Sequence, residues 1–164
     1  MSRRSPAGTP ALVTLQRAGV EHTVHAYEHD PTVESYGREA ADALGLDPAT
    51  VFKTLLAEVD GAPVVAIVPV TGQLDLKALA ATGGGKRARM MEVSAAERLT
   101  GYVAGGISPL GQRTRLPTVL DASAEGCAVV YVSGGRRGLD VGLAPADLLR
   151  LTGASYARIA STPA

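Results

Sequence analysis

The chain has 164 residues, no formal net charge, 46% hydrophobic and 20% charged residues, a composition that excludes a wholly disordered chain and fits one folded domain. Zero net charge excludes a global field that would gather DNA or another polyanion, so any nucleic-acid contact must rest on local basic patches. A single cysteine excludes an internal disulfide, no apolar run has membrane-spanning length and no signal segment opens the chain; a soluble, cytoplasmic protein without a membrane partner is expected.

Residues 1–8 are expected to form a flexible leader, and residues 9–160 one domain. Thr9-Pro10 opens a helix as N-cap and first-turn proline; Gly19 closes it, with Leu12 and Leu15 facing inward. His22 to Tyr27 reads as a strand, and Glu34 to Leu44 as a helix ended by Gly45. Asp47-Pro48 predicts a short helical turn before a strand over Phe52 to Val59. Asp60-Gly61 then joins it to Val64–Val70, the strongest hairpin signal in the chain. Asp75 caps a helix that stops at Gly83-Gly84-Gly85, and Ser94 with Glu97 has capping-box spacing for another. Thr118–Leu120 and the apolar run Ala128–Val132 predict strands, the second central in its sheet. Gly138–Leu143, a helix over Pro145–Leu151 and an edge strand over Ser155–Ile159 complete the domain. With no Trp and one Phe the core must be aliphatic, and the fold class is α/β (α+β) with a mixed sheet.

Candidate chemistry starts at Val51-Phe52-Lys53-Thr54-Leu55-Leu56. Only Lys53, Lys77 and Lys86 among the 16 basic residues are lysines, and Lys53 alone lies in an apolar run. A buried ammonium without a partner is costly, so Lys53 either snorkels to water or lines a polar pocket. Paired glycines in Gly105-Gly106-Ile107-Ser108-Pro109 and in Ser133-Gly134-Gly135 allow backbone N–H groups to face a ligand. Each alone is also an ordinary tight loop. His22, His25 and His29 lack metal-site spacing, and His22 and His25 fall on opposite strand faces. Cys127 lies in an apolar stretch that raises a thiol's pKa, so it is not expected to be a nucleophile. Gly83-Gly84-Gly85-Lys86-Arg87 fails the Walker pattern. The basic clusters at 86–89, 113–115 and 136–137 read individually as solvated edges. No metal and no cofactor is expected.

Tyr27-Glu28-His29-Asp30-Pro31, Val51 to Leu56, Val68-Pro69-Val70, Gly72 to Lys77, Thr100-Gly101-Tyr102, Gly105 to Gly111, Leu116-Pro117-Thr118, Tyr131 to Gly135 and Arg137 to Asp140 occur in that order. In this the chain resembles the YbaK/EbsC family, free-standing bacterial Cys-tRNA(Pro) deacylases related to the editing domain of prolyl-tRNA synthetases. The resemblance covers about residues 9 to 160. It implies a barrel-like mixed sheet surrounded by helices, and release of cysteine mischarged on tRNA(Pro), with the substrate's own thiol attacking the ester carbonyl. It places the essential lysine at Lys53 and the carbonyl-holding glycine pair at Gly105 and Gly106. Substrate-binding positions fall at Tyr27, Thr54, Ile107, Ser133, Gly134 and Asp140. The implied partners are the 3′-aminoacyl end of the tRNA and prolyl-tRNA synthetase. Three other readings stay open: a water-using deacylase for another small residue such as alanine, a non-catalytic module binding aminoacyl ends, and a metal hydrolase built on His25 or His29.

Overall fold

The Asp60-Gly61 turn joins two eight-residue strands, the second of which carries two prolines. A computed structural model describes residues 8–32 and 35–161. In chain order these form α1 (Pro10–Ala18), β1 (His22–Ala26), α2 (Tyr36–Leu44), β2 (Phe52–Val59), β3 (Ala62–Pro69), β4 (Gln73–Leu74), α3 (Leu76–Thr82), β5 (Ala88–Met90), α4 (Val93–Thr100), β6 (Thr118–Asp121), β7 (Val130–Arg136), β8 (Leu139–Leu143), α5 (Pro145–Thr152), β9 (Ser155–Ala157) and β10 (Ala160–Ser161). Short 3₁₀ turns cover Pro48–Thr50 and Ala122–Gly126.

A five-stranded sheet has the order β5-β2-β3-β6-β9, antiparallel through β3 and parallel beyond it. Val51 O accepts from Val70 N, so odd-numbered residues of β2 bond to β3 and even-numbered ones face the outer edge. Pro63 and Pro69 stand opposite Glu58 and Phe52, the non-bonded pairs, where their missing N–H costs β2 nothing. A second, antiparallel sheet has the order β1-β8-β7. A parallel bridge from Val51 to Tyr131 joins the two sheets. The result is the expected mixed, barrel-like arrangement with helices outside it. Its main core is aliphatic: Leu12 and Leu15 of α1, Leu56, Ile67, Leu120, Val130, Val132, Leu139, Val141 and Leu148, with Phe52 and Tyr102 the aromatics.

Helix ends follow the sequence closely. Thr9, Ser35, Asp47 and Asp75 cap through their side chains, and Gly19 and Gly45 end α1 and α2. Several expectations need correction. Strand β8, not β7, is central in its sheet; the apolar run at 128–132 reflects Val130 and Val132, both fully buried on one face. No capping box forms at Ser94, because α4 begins at Val93 and Glu97 spends its carboxylate on Ala104 N instead. The last predicted strand ends at Ala157, and Ile159 is buried beyond it. Strands β4 and β5 were not foreseen; β5 lies inside a cluster that reads only as basic. Residues 1–7 of the expected leader, and Glu34 of the expected helix, lie outside the described residues.

The C-terminal segment is tied down by one buried carboxylate. Asp121 Oδ1 accepts from Ile159 N and Ala160 N, both at 2.9 Å, while Oδ2 accepts from Ser123 N at 3.2 Å. Removing it leaves two enclosed N–H groups without partners, at about 1–3 kcal/mol each. Asp121→Ala is expected to lower the unfolding midpoint by several degrees, and Asp121→Asn, which keeps an acceptor, by clearly less. Equal midpoints for wild type and Asp121→Ala in a thermal melt would show that this carboxylate does not hold the segment.

Candidate active site

The outer edge of β2 is paired at both ends and open between them. Leu56 O accepts from Met91 N, Asp60 N donates to Arg87 O, and β5 pairs with Ala57–Val59. Among the described residues the other sheet bridges to this edge at Val51, the residue before β2. Thr54, opposite Ile67 in a non-bonded pair, therefore turns its backbone N–H and C=O away from β3 into the gap. A cavity of about 460 Å³ occupies that gap. Because it opens along a strand edge, side chains from both faces of β2 reach it, and adjacent Lys53 and Thr54 both line it.

Of the residues singled out above, the fold brings Tyr27, Lys53, Thr54, Gly105, Ile107, Ser133 and Asp140 to this cavity. Ser133 and Asp140 are cross-strand partners on β7 and β8, and Tyr27 N donates to Gly138 O just beside them. Gly106 and Gly134 are not in the lining. A Cβ on Gly106 would lie 2.6 Å from Arg136 Cα, and its N–H already donates to Val103 O at 2.8 Å. Its role here is close packing. Gly134 O accepts from Thr9 Oγ1, which anchors the start of α1 to the β7 bulge.

Gly105 differs from its neighbour. It has φ of +86°, and a Cβ there would come within 2.8 Å of the Tyr36 ring and 2.9 Å of Arg137 Nε. The peptide before it is held at both residues' ends: Ala104 N donates to Glu97 Oε2 at 2.9 Å, and Ala104 O accepts from Arg137 Nε at 2.8 Å. Arg137 also lies over the Tyr36 ring, 5.2 Å from its centroid. The Gly105 N–H, anti to that engaged carbonyl, has no partner among the described residues.

The electrostatics are those of a cavity without internal pairing. Lys53 is half-buried with no carboxylate partner among the described residues, and burial lowers its pKa. Asp140, 6% exposed, has its carboxyl pushed up to about 7 by desolvation. Burial, then the nearby Asp140 and Glu39, raise Tyr27 to about 12, so its hydroxyl stays a donor. Thr54 Oγ1 is buried with no hydrogen-bond partner. These are groups waiting for something polar.

Sequence reasoning missed the apolar wall: Met90, Met91, Val93 and Ala96 on one side, with Ser35 and Tyr36 on the other. The Met90-Met91 pair, adaptable thioethers at a strand end, was the available signal. The histidines are engaged elsewhere: His22 with Val20 O, His25 with Thr23 Oγ1 and the edge of Tyr131, and His29 with Glu39. Among the described residues no group of three or more His, Cys, Asp or Glu could hold a metal ion. Cys127 is half-buried, less enclosed than its apolar neighbours suggest. Desolvation and then Asp47 raise its thiol pKa, and it does not line the cavity.

No helix among the described residues is long and apolar enough to cross a membrane. Over 120 residues the chain is 39% identical to EbsC of Enterococcus faecalis, a protein assigned as a Cys-tRNA(Pro)/Cys-tRNA(Cys) deacylase, with 73% of each chain covered. Its fold matches the crystal structure of a protein assigned as a trans-editing enzyme for prolyl-tRNA synthetase. The TM-score is 0.81 at 26% identity, over 97% of this chain and 99% of that one. Residues 30–151 match the model of the aminoacyl-tRNA editing domain. A cavity at a strand edge, lined by Gly105 and by a lysine with no ionic partner among the described residues, thus sits in a chain that belongs to the aminoacyl-tRNA editing domain family.

Proposed function

We propose that this chain is a trans-editing deacylase that releases cysteine from mischarged tRNA(Pro), acting in the cytoplasm as one catalytic domain over residues 9–160. The observation that carries the reading is the makeup of the cavity. It offers a cation, an orphan hydroxyl, open backbone and a neutralisable carboxyl, while no histidine or cysteine lines it. Such a site binds and polarises, and it leaves the attack to the substrate or to water.

An aminoacyl ester is already activated, so positioning and oxyanion stabilisation supply most of what is needed. In this reading Lys53 holds the phosphate or acyl end of the terminal adenosine, and Gly105 N–H donates to the carbonyl oxygen. Tyr27, Thr54, Ile107 and Ser133 shape the acyl pocket. Gly106 and Gly134 support it from behind. The cysteinyl sulfur attacks the carbonyl carbon, the ester C–O bond breaks, and the ribose oxygen leaves with a proton. The product is a cyclic thiolactone that water later opens. Asp140, titrating near 7, can exchange a proton with the substrate's thiol or α-ammonium at neutral pH. Selection of the tRNA falls to prolyl-tRNA synthetase as partner, in keeping with a chain of zero net charge.

Deacylation of tRNA(Pro) charged with cysteine, serine or proline tests the whole reading. Cysteine is expected to leave fastest, as a trappable thiolactone; serine, nearly isosteric but without thiolate at neutral pH, slowly; proline not at all. Equal rates for cysteine and serine, with only directly hydrolysed product, would favour bound water and the small-residue deacylase.

Lys53→Ala removes a charge-assisted contact to an anionic substrate. The expected loss in kcat/KM is about 30- to 1000-fold, or about 2–4 kcal/mol. The melting temperature should not fall, since no ion pair is broken. Full activity in the folded variant would remove Lys53 from the site.

Asp140 makes a pH prediction. Its folded pKa, about 7, lies above the unfolded value, so the native state holds the proton more tightly between about pH 4 and 7. Stability contributed by the protonated form is present below the unfolded pKa and is lost as pH rises through that window. Asp140→Asn should therefore be more stable than wild type at pH 8, by up to a few kcal/mol, and gain little at pH 4. A denaturant titration showing the same difference at both pH values would refute the assignment of this carboxyl as a buried, unpaired acid.

A further inference from the structure

We infer that the groove along β5 binds the phosphate backbone of the RNA whose 3′ end enters the cavity, through Lys77, Lys86 and Arg87. This rests on the deacylase reading for the identity of the RNA, though not for the existence of the surface.

The groove, of about 720 Å³, is lined by these three cations with Glu58, Asp60 and Arg89. Its two acids are already engaged. Glu58 pairs with Arg89 at 2.8 Å, and the Asp60 carboxylate accepts from the backbone N–H groups of Lys86 and Arg87 at 3.0–3.3 Å. Lys77, Lys86 and Arg87 are exposed and have no acidic partner among the described residues. Asp60 orders the backbone that carries two of them, which gives a fixed row of free cations on a protein with no net charge.

Strand β5 connects this row to the active cavity. Arg89 stands opposite Glu58 and the next residue, Met90, opposite Ala57; Met90 is 47% exposed and lines the cavity. At about 3.3 Å per residue, Arg87 lies roughly 10 Å along the chain from Met90. That is about three nucleotide rises at 3.4 Å each. A strand with its terminal nucleotide in the cavity would run out over Met90 and meet the cations at its next phosphates.

In each of the other two basic clusters one arginine is already engaged. Arg137 is occupied with Ala104 O and the Tyr36 ring, and Arg113 packs over Gly101 and donates to Arg98 O. Residue choice points the same way. All three lysines of a chain otherwise supplied with arginine fall on this one track, Lys53 in the cavity and Lys77 and Lys86 in the groove. A lysine ammonium meets phosphate as a mobile point charge and asks for no bidentate geometry, which suits a sequence-independent backbone contact.

The test is direct binding of uncharged tRNA, with the salt dependence of Kd, for wild type and for Lys77→Ala/Lys86→Ala/Arg87→Ala. The control is Arg17→Ala/Arg150→Ala/Arg158→Ala, which removes the same charge from exposed positions lining neither groove nor cavity. The groove variant is expected to bind about tenfold or more weakly at low salt. Its log–log salt slope should be smaller by about 2–3, near one unit per lost phosphate contact. The control should stay within about twofold of wild type. A second arm measures release of cysteine from cysteinyl-adenosine, which lacks the RNA stem, and the groove variant should match wild type there. Equal weakening in both variants, or none in either, overturns the proposal. Tight, groove-dependent tRNA binding without release from either substrate would instead defeat the deacylase reading and leave the surface standing.

Discussion

The site exists because the outer edge of β2 has two partners and neither reaches its middle. β5 covers Ala57–Val59, the backbone bridge to β7 lies at Val51, and Thr54 turns its backbone toward the space between. Unpaired backbone in a protein interior is costly, so such a gap must be solvated or filled. Here it borders a cavity lined by Thr54 Oγ1, buried with no hydrogen-bond partner among the described residues, and by Lys53, which has no ionic partner among them. Closing the sheet with one longer strand would be more stable and would leave nowhere for a ligand. In the proposed function the gap is the working element, and the barrel around it holds it open.

Charge within the cavity follows from the same geometry. Lys53 and Asp140 share one lining, yet neither has an ionic partner among the described residues; burial pushes one pKa down and the other up. A paired Lys–Asp would be cheaper and inert. Kept apart, the two offer a cation for phosphate or carbonyl and a carboxyl that titrates at working pH. Tyr27 gains from this arrangement too, since burial first, and then the nearby Asp140, push its hydroxyl further toward the protonated, donating form.

Much of this was legible in the chain. The helix caps at Thr9, Asp47 and Asp75, the Asp60-Gly61 hairpin and the span Phe52–Val59 could be read because each depends on local chemistry. Lys53 stood out because one ammonium in an apolar run contradicts its surroundings. What could not be read was long-range. Strand β5 owes its existence to pairing with β2 some thirty residues earlier, so its own basic composition gave no strand signal. Glu97 looked like a helix cap because its spacing from Ser94 fits one. The fold uses it 7 residues downstream, on Ala104 N, a choice that only the loop's path decides. Gly105 and Gly106 looked equivalent in sequence, and only packing separates a cavity wall from a spacer against Arg136.

That last separation bears on how the site would work. Gly106 donates its N–H to Val103 O, so the N–H groups of the adjacent glycines are not equally available in this structure. Gly105 is left with one N–H, but in a peptide whose carbonyl accepts from a guanidinium. Withdrawal of charge toward Arg137 polarises the peptide and strengthens the N–H opposite. Glu97 fixes the preceding N–H, and Tyr36 and Arg137 close the space a side chain would need. A donor held this way meets developing negative charge without rearranging, the condition under which a single hydrogen bond stabilises a transition state most. Sequence distance hides this assembly, since its parts come from α2, α4, the 104–105 loop and the turn after β7. The barrel brings them to one point, and in the proposed reaction that one well-fixed donor would meet an ester that carries its own nucleophile.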